Sequence, residues 1–484
     1  MRRAYLESGI VVVALVTALL PVSSEGSPIT FERAYGGPGV DWGESVQQTT
    51  DGGYIAAGPY GLLPDSAGAY FVKTDAQGDT LWTRTFNGAY GASARQTSDG
   101  GYVFVASAES SGTRPAGIWF IKTDANGETL WTRTYAGEYG PSMVEQTADG
   151  GYVISGNTSY FSPGGADVLL IKSDSNGGLM WTSTWGGAGD DVGNSVQQTA
   201  DGGYIIAANT MSFGAGSQDV WLIKTDSMGD TLWTRTFGGD SFEYAGSANQ
   251  TPDGGYIVVG ATTTPSDSPA VYLIKTDASG DTLWTRTFAG RGWTAGQSGA
   301  LTRDGGYVIV GFCGSGLPDV YLAKTDSNGD TLWTRSFGGS DFDLGLRVQQ
   351  TADSGYVIVG ETYSFGAGEA DFYLIKTDEN GNVAVAEPKT SPSRKPVLSV
   401  TCAPNPFSGS TRISFSYRSS DSKPLALRVY DVQGRLVSTL AAGETSQAIW
   451  DGRDNEGQLL PSGAYLLCCD AAGVHVTARL VLQR

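Results

Sequence analysis

Between residues 29 and 380 the chain alternates short apolar runs with turns that contain aspartate and glycine. One stretch, Ser195–Phe237, holds four such runs, SVQQT, GYIIAAN, DVWLIKTD and TLWTRTF. Tyr, Ile, Val, Trp and Thr dominate these runs, as is typical of β-strands. Asp-Gly-Gly joins the first two runs and Asp-x-x-Gly joins the last two, so that glycine can supply the positive φ of a tight turn. The pattern predicts four antiparallel strands.

This four-strand unit recurs along the chain with a period of 48 to 52 residues. The turn Asp-Gly-Gly-Tyr begins at Asp51, Asp99, Asp149, Asp201, Asp253 and Asp304, with an altered copy at Asp353. The third run carries a lysine in every copy, at Lys73, Lys122, Lys172, Lys224, Lys275, Lys324 and Lys376. The fourth run carries Trp82, Trp131, Trp181, Trp233, Trp284 and Trp333, with Phe31 as the seventh equivalent. Because charges such as Lys275, Asp277 and Arg286 recur in most copies, we interpret them as structural and not catalytic.

A unit of this size cannot bury both of its faces alone, so the units must stack on one another. Seven copies predict an all-β fold in which a seven-bladed β-propeller spans residues 27–380. An open solenoid is the alternative, although it would need atypical capping repeats.

The order of the runs also predicts how the ring closes. The repeat region begins with a fourth strand, ITFERAY at residues 29–35, and ends with a third strand, DFYLIKTD at residues 371–378. Pairing of these two strands would complete the last blade and leave no open edge. NVAVA at residues 382–386 is a competing fourth strand, but it lacks the aromatic residue and the arginine.

The N-terminal 24 residues have the pattern of a secretory signal peptide. Arg2 and Arg3 precede an apolar run that is too short to span a bilayer, and Val22-Ser23-Ser24 offers small residues for cleavage. We therefore expect an exported protein that is secreted or at the cell surface, with no transmembrane segment after processing. The net charge of −19 argues against a nucleic-acid partner.

Two kinds of connection alternate along the repeats. The first-to-second and third-to-fourth turns are short and nearly invariant, whereas the second-to-third and fourth-to-first connections differ from copy to copy and share the opposite face. Binding residues concentrate on such variable loops. Aromatic residues beside carboxylates can stack on sugars or grip a protein. The ligand-binding candidates on this face are Asp41, Trp42, Tyr139, Asp190, Asp191, Tyr244, Trp293, Asp341, Phe342 and Asp343; ordinary solvated loops are the alternative interpretation.

The residue inventory offers little for catalysis. The single histidine, His475, lies outside the repeats, and the repeat cysteine Cys313 therefore has no histidine partner there. Imidazole-based triads and metal sites are thus excluded from the repeats. We predict no catalytic residue, no metal and no cofactor. A glycan-active enzyme that uses only carboxylates, such as the pairs Asp190/Asp191 or Asp341/Asp343, is the alternative function.

The chain after the repeats changes character. Residues 381–399 form a linker rich in Pro, Ser and Lys, and residues 400–484 contain short strand-like runs that predict a small β-sandwich. Cys402 could pair with Cys468 or Cys469 in an oxidising compartment, and buried thiols are the equal alternative.

Two resemblances accompany these predictions. The repeats resemble the Asp-Gly-Gly-Tyr propeller repeats of many exported bacterial proteins, which implies architecture and not activity. The C-terminal region resembles the sorting domain of type IX secretion cargo, an immunoglobulin-like fold similar to that of the flagellar hook-capping protein. The resemblance rests on Pro404, Asn405, Pro406, Phe407, Trp450, Asp451, Gly452, Gly463 and Tyr465. It implies passage across an outer membrane, with the secretion machinery as partner; a plain accessory sandwich is the alternative. The propeller itself would then bind a glycan or a surface protein, or act as a spacer.

Overall fold

The computed structural model describes residues 28–37, 39–61, 68–108, 116–137, 139–159, 164–263, 269–288, 292–383, 398–417, 426–440, 447–471 and 474–484. The predicted signal peptide at residues 1–24 and most of the predicted linker lie outside these residues. The described chain contains strands and no helix, and therefore no helix that could cross a membrane.

Six of the seven four-stranded sheets of the repeat region are built from four consecutive strands, and we number them as blades I to VI. Blade I has β2 (Ser45–Gln48), β3 (Tyr54–Tyr60), β4 (Gly68–Thr74) and β5 (Thr80–Asn87). Blade II has β6 (Ala89–Gln96), β7 (Tyr102–Ala108), β8 (Gly117–Thr123) and β9 (Thr129–Ala136). Blade III has β10 (Tyr139–Gln146), β11 (Tyr152–Thr158), β12 (Asp167–Ser173) and β13 (Leu179–Trp185). Blade IV has β14 (Asp191–Gln198), β15 (Tyr204–Thr210), β16 (Asp219–Thr225) and β17 (Thr231–Phe237). Blade V has β18 (Glu243–Gln250), β19 (Tyr256–Thr263), β20 (Pro269–Thr276) and β21 (Thr282–Phe288). Blade VI has β22 (Trp293–Leu301), β23 (Tyr307–Gly314), β24 (Asp319–Thr325) and β25 (Thr331–Phe337).

Blade VII closes the ring with a strand from the start of the repeats. It consists of β26 (Asp343–Gln350), β27 (Tyr356–Thr362), β28 (Asp371–Thr377) and β1 (Phe31–Tyr35). β1 pairs antiparallel with β28, with Phe31 opposite Lys376 and Tyr35 opposite Phe372. The predicted closure is therefore confirmed, together with the all-β propeller and its four-stranded blades. The described part of the competing segment, Asn382 and Val383, forms no strand.

A lysine and an aspartate join the first turn of each blade to its third strand. In blade V the Nζ of Lys275 lies 2.8 Å from Oδ2 of Asp253 and donates to the carbonyl oxygen of Thr276. The Asp253 carboxylate also accepts hydrogen bonds from Thr251 and from the backbone N–H of Gly255. All seven blades have this ion pair at 2.8 to 2.9 Å, between a buried lysine and an aspartate that is partly exposed. The repeated lysine is therefore a structural residue, as the sequence predicted.

The recurring tryptophan packs against the next blade. Trp233 of blade IV contacts Tyr256 of blade V edge to face, with ring centroids 5.7 Å apart. It also covers Gly280 in the third-to-fourth turn of blade V, where an added Cβ would lie 2.7 Å from the ring. Gly280 has φ of +80°, so this glycine serves both the turn and the close approach. Phe31 makes the equivalent contacts with Tyr54 and Gly78, which explains why phenylalanine replaces tryptophan at the closure without loss of the seam.

A glutamine at the end of six of the seven first strands bonds neighbouring blades to each other. Gln250 accepts a hydrogen bond from the N–H of Ala200 in the preceding blade at 2.8 Å, and its amide faces Gly254 of its own turn. Five other seams have the same bond. The seam between blades V and VI differs, since Pro252 has no N–H to donate and Leu301 replaces the accepting glutamine. The seam between blades V and VI thus lacks both the backbone donor and the glutamine acceptor, so the loss of one does not leave the other without a partner.

The C-terminal region forms two sheets. One contains β29 (Leu398–Ala403), β30 (Thr411–Tyr417) and β33 (Gln447–Trp450), and the other contains β31 (Ala426–Tyr430), β32 (Leu436–Leu440), β34 (Gly463–Ala471) and β35 (Val474–Leu482). Trp450, Leu427, Leu467 and Leu480 belong to the buried core of this domain. The predicted small β-sandwich is confirmed. Cys402 is half-buried, and burial raises the pKa of its thiol.

Candidate functional site

The variable face carries the second-to-third and fourth-to-first connections of the blades. On this face the first strands of blades II to VII are longer than the sequence predicted. In blade IV the strand begins at Asp191 and not at Ser195, because a β-bulge between Gly193 and Ser195 lets the pairing with β15 continue. Equivalent bulges occur in blades II, III, V, VI and VII. Several residues that we took as loop residues are therefore strand residues.

Three of the predicted ligand-binding acids are fully buried beneath the connections. Oδ2 of Asp41 accepts the N–H of Gly37 at 2.7 Å, and its Oδ1 accepts the N–H of Gly61 at 2.9 Å. Oδ2 of Asp191 accepts the N–H of Gly187 and the hydroxyl of Ser212.

Asp343 has the same arrangement as Asp191, with Gly339 and Ser364 as donors. The pKa of Asp343 is raised by burial, although hydrogen bonds to the carboxylate oppose this shift. In these positions the three acids hold a Gly-Gly connection in place, which is a structural task.

A second carboxylate lies on the other side of the same connection. An added Cβ at Gly338 would be 2.4 Å from Oδ1 of Asp319 and 2.6 Å from Oδ2 of Asp343. Burial and the neighbouring Asp343 raise the pKa of Asp319. Gly36 is enclosed in the same way by Asp371 and Asp41. The glycine is required because no side chain could pass between the two carboxylates.

The variable face carries exposed aromatic side chains. Among the described residues, every exposed Phe or Trp side chain lies in a variable connection or at its junction with a strand: Phe213, Phe242, Trp293 and Phe342. Trp293 is the most exposed of them, at 66%. Phe213 packs against Trp221 with ring centroids 5.0 Å apart, and Phe342 contacts Tyr363 edge to face. Such rings can stack on a ligand, and their exposure has no role in packing the core.

The other predicted residues take intermediate positions. Trp42 is half-buried, and its Nε1 donates to Glu44 at 3.1 Å. Asp190 is exposed and accepts the N–H of Ala166 at 2.8 Å, whereas Asp341 is half-buried. Tyr244 is half-buried, and burial raises the pKa of its hydroxyl, with Arg347 lowering it and Glu44 raising it. For Tyr139 the structure describes the backbone alone.

A cavity of about 230 Å³ lies on the axis of the ring, where the first strands of all seven blades meet. Serine and glutamine side chains dominate its wall, together with Arg95 from blade II, Glu145 from blade III and Arg347 from blade VII. Arg347 extends across the channel, because its guanidinium donates to the carbonyl oxygens of Gln297 in blade VI and Asn194 in blade IV. We call this cavity the axial channel.

The charged residues of the axial channel and the exposed Phe213 were not predicted from the sequence. A signal for the channel was present, since the first strands read SVQQT in blades I and IV but SARQT, MVEQT and RVQQT in blades II, III and VII. Alignment of the first strands with each other, position by position, exposes Arg95, Glu145 and Arg347 as departures from the repeat.

Three of the C-terminal motif residues, Phe407, Trp450 and Tyr465, belong to the core of the sandwich. The Trp450 ring lies between Phe407 and Tyr465, with ring centroids 5.6 and 5.2 Å away. Asn405 donates to the carbonyl oxygen of Arg479 and accepts the N–H of Val481, which ties Pro404-Asn405-Pro406 to the last strand. Gly452 has φ of +73°, and its carbonyl oxygen accepts a hydrogen bond from Arg484. Asp451 and Gly463 are exposed residues at the ends of β33 and β34.

Comparison with known proteins identifies the C-terminal part. Residues 403–472 match the family model described as the FlgD Ig-like domain. No curated protein matches the sequence.

Similar solved structures include PorZ, a bacterial surface component of the type-IX secretion system of Porphyromonas gingivalis, with 10% identity and a TM-score of 0.43. That similarity covers 93% of this chain, and the chain spans 61% of the length of PorZ. The GH93 α-L-arabinofuranosidase of Fusarium graminearum has 11% identity and a TM-score of 0.44, over 59% of this chain and 92% of the enzyme. A copper-bound fungal alcohol oxidase of the AA5 family has 12% identity and a TM-score of 0.44, over 94% of this chain and all of that one. Similarities this low carry no information about activity. What the comparisons identify is therefore the C-terminal region, which matches the FlgD Ig-like family.

Proposed function

We propose that this protein is an exported binding module whose propeller, residues 27–380, recognises a glycan on its variable face. The location of the exposed Phe and Trp side chains of the described residues on that one face supports the proposal. Trp293, Phe242 and Phe342 belong to connections that differ between the blades, so they are not needed for the shared blade structure. Exposed aromatic rings of this kind stack on the apolar faces of sugars.

The sandwich at residues 400–484 is proposed to direct export. The matched Ig-like domain and the motif around Asn405 and Trp450 support a sorting role through a type IX-like secretion machinery. We place the protein at the cell surface or outside the cell, after removal of a signal peptide at residues 1–24. If the sandwich directs export and is then removed, the mature protein at the surface will lack residues beyond about 400. Mass spectrometry of surface-released protein tests this, and intact protein retained inside the cell would refute the sorting role.

The alternative is a carboxylate-based enzyme that acts on the same glycans. A glycosidase needs two carboxyl groups that face a shared substrate. In both predicted acid pairs one member, Asp191 or Asp343, is buried and bonded to its own connection. This arrangement favours binding over hydrolysis.

A glycan array probed with the full-length protein separates these functions, when glycans that bind are also incubated with the protein and analysed by mass spectrometry. Binding without turnover supports the module. Hydrolysis that an Asp190→Asn or Asp341→Asn change abolishes would establish the enzyme instead. A spacer function predicts no retained glycan at all.

A further inference from the structure

The axial channel departs from the repeat at two positions that face it. The first of these is a serine in five blades, but Met143 in blade III and Arg347 in blade VII. The second is a glutamine in three blades, Asn249 in blade V and Ala300 in blade VI, but Arg95 in blade II and Glu145 in blade III. Charged side chains therefore enter the channel only where the repeat is broken.

The repeated residues at these positions have a structural task. The hydroxyl of Ser45 accepts the N–H of Ala94 in the next blade at 2.9 Å. Gln197 likewise accepts the N–H of Gln250 at 2.7 Å. An arginine has no acceptor atom, so Arg347 and Arg95 cannot make these inter-blade bonds. Residues that break a local rule at a cost in stability are expected at functional sites.

In the described part of the chain neither arginine forms a direct ion pair, although Glu145 lies close enough to Arg95 to act on its charge. Within the described part of the chain, no carboxylate oxygen lies within 4.0 Å of either guanidinium. Arg347 bonds only to backbone carbonyl oxygens, at 3.3 to 3.5 Å, and Arg95 bonds to the carbonyl of Ala94. Two arginines with Glu145 as the one carboxylate of the cavity lining are unusual in a half-buried channel of a chain with a net charge of −19.

The two arginines are close enough to affect each other. Burial lowers the pKa of Arg95, Glu145 opposes this shift, and Arg347 adds to it. Glu145 has a raised pKa because of burial, which Arg95 partly offsets. Glu44 immediately precedes β2, and Tyr244 lies near the start of β18, both toward the variable face. The charged residues that line the cavity itself thus carry an excess of positive charge, which a bound anion would balance.

We propose that the axial channel binds a small sugar acid, whose carboxylate lies between Arg95 and Arg347. The guanidinium groups supply the charge-assisted hydrogen bonds that a carboxylate requires. The Gln, Asn and Ser side chains of the wall offer donors and acceptors for ring hydroxyls. At about 230 Å³ the channel is smaller than the roughly 300–1,000 Å³ of pockets for drug-sized ligands, which limits the ligand to about one sugar ring. This site is separate from the aromatic residues of the variable face and does not depend on glycan binding there.

The repeat supplies the test variants. Arg347→Ser and Arg95→Gln introduce the residues that other blades have at these positions, together with their inter-blade bonding capacity. Both variants are therefore expected to fold, with a melting temperature at or above that of the full-length wild type. Glu145→Gln is the matched control, since it also introduces the repeat residue but removes a negative charge.

Isothermal titration of the full-length proteins with D-glucuronate and D-galacturonate, and with D-glucose and D-galactose as neutral counterparts, measures the site. We expect at least one uronate to bind at least tenfold more tightly than its neutral counterpart. Arg347→Ser and Arg95→Gln should each weaken this binding at least tenfold, and Glu145→Gln should strengthen it. Failure of both uronates to bind, equal binding of the neutral sugars, or unchanged affinity in the folded arginine variants would overturn the proposal. Loss of glycan binding in Trp293→Ser with intact uronate binding would separate this site from the variable face.

Discussion

The buried lysine of each blade should matter less for stability than the exposed aspartate beside it. In blade V the side chain of Lys275 is 6% exposed and that of Asp253 is 57% exposed. Asp253→Asn leaves an ammonium group buried without a carboxylate. Lys275→Met leaves a carboxylate that water hydrates and that Thr251 and Gly255 still bond. We therefore expect loss of the aspartate to lower the free energy of unfolding more than loss of the lysine.

The size of each loss in unfolding free energy depends on which charge of the pair remains buried. Removal of one partner from a buried pair costs about 3–5 kcal/mol. We expect the lower end, about 3 kcal/mol, for Asp253→Asn, because asparagine can still accept a hydrogen bond. For Lys275→Met we expect about 1.5 kcal/mol, the value of the charge-assisted bonds that are lost. Arg286→Ser is the control. Its ion pair with Asp330 is exposed, and Ser183 already occupies the equivalent position in blade III, so we expect about 1 kcal/mol or less.

Urea unfolding followed by tryptophan fluorescence at neutral pH measures the three variants side by side. Asp253→Asn should lower the midpoint most and Arg286→Ser least. If Lys275→Met costs as much as Asp253→Asn or more, desolvation of the lysine does not determine the strength of the pair, and the reasoning is wrong.

Three further predictions concern acid, turns and seams. Burial raises the pKa of Asp253, but hydrogen bonds from Lys275, Thr251 and Gly255 outweigh it and lower the pKa to about 2; the counterparts in the other blades are lowered as well. A carboxyl group whose pKa is lowered by folding stabilises the fold at pH values above its pKa in the unfolded state, about 4, and this stability is lost as the pH falls toward the folded-state pKa. The melting temperature should therefore fall between pH 4 and pH 2. A constant melting temperature over this range would contradict the prediction. Gly280→Ala should lower the free energy of unfolding by about 1–3 kcal/mol more than Gly202→Ala, measured by thermal unfolding. Both glycines have φ near +80°, but only Gly280 has an aromatic ring within 3 Å of an added Cβ. Equal losses of stability would refute the packing argument. Pro252→Ala combined with Leu301→Gln should restore the hydrogen bond that is missing between blades V and VI. A double-mutant cycle should show a favourable coupling of about 0.5–1.5 kcal/mol in unfolding free energy. Single effects that simply add would refute the restored bond.

The periodic part of the fold follows from the sequence because each feature occurs many times. The Asp-Gly-Gly-Tyr spacing identified the blades, and the phase of the first and last strands identified the closure by residues 31–35. The recurrence of Lys275 and its counterparts marked them as structural, although their partner is the aspartate of the first turn and not the nearer Asp277.

The candidate site was less predictable because it depends on burial. Asp41, Asp191 and Asp343 look like solvated loop acids in the sequence. A Gly-Gly connection folded over each of them places all three in the interior, and in the blades of Asp191 and Asp343 a bulge also extends the first strand to include the acid. Trp293 and Phe342 were selected as aromatic residues of variable connections, and both are exposed. Arg95 and Arg347 lie within strands that the repeat had already explained, so their chemistry emerges only when the first strands meet on the axis.

The central claim is that blade structure and ligand recognition use different residues, those the copies share and those in which they differ. Glycan-array binding of the full-length wild type, the Lys275→Met variant and a Trp293→Ser/Phe342→Ser variant, at a temperature where all three are folded, tests it most directly. The account predicts that Lys275→Met binds the same glycans as the wild type despite its lower stability, whereas the double variant loses binding at least tenfold with an unchanged melting temperature. Loss of binding in folded Lys275→Met, full binding by the double variant, or no glycan bound by the wild type would contradict it.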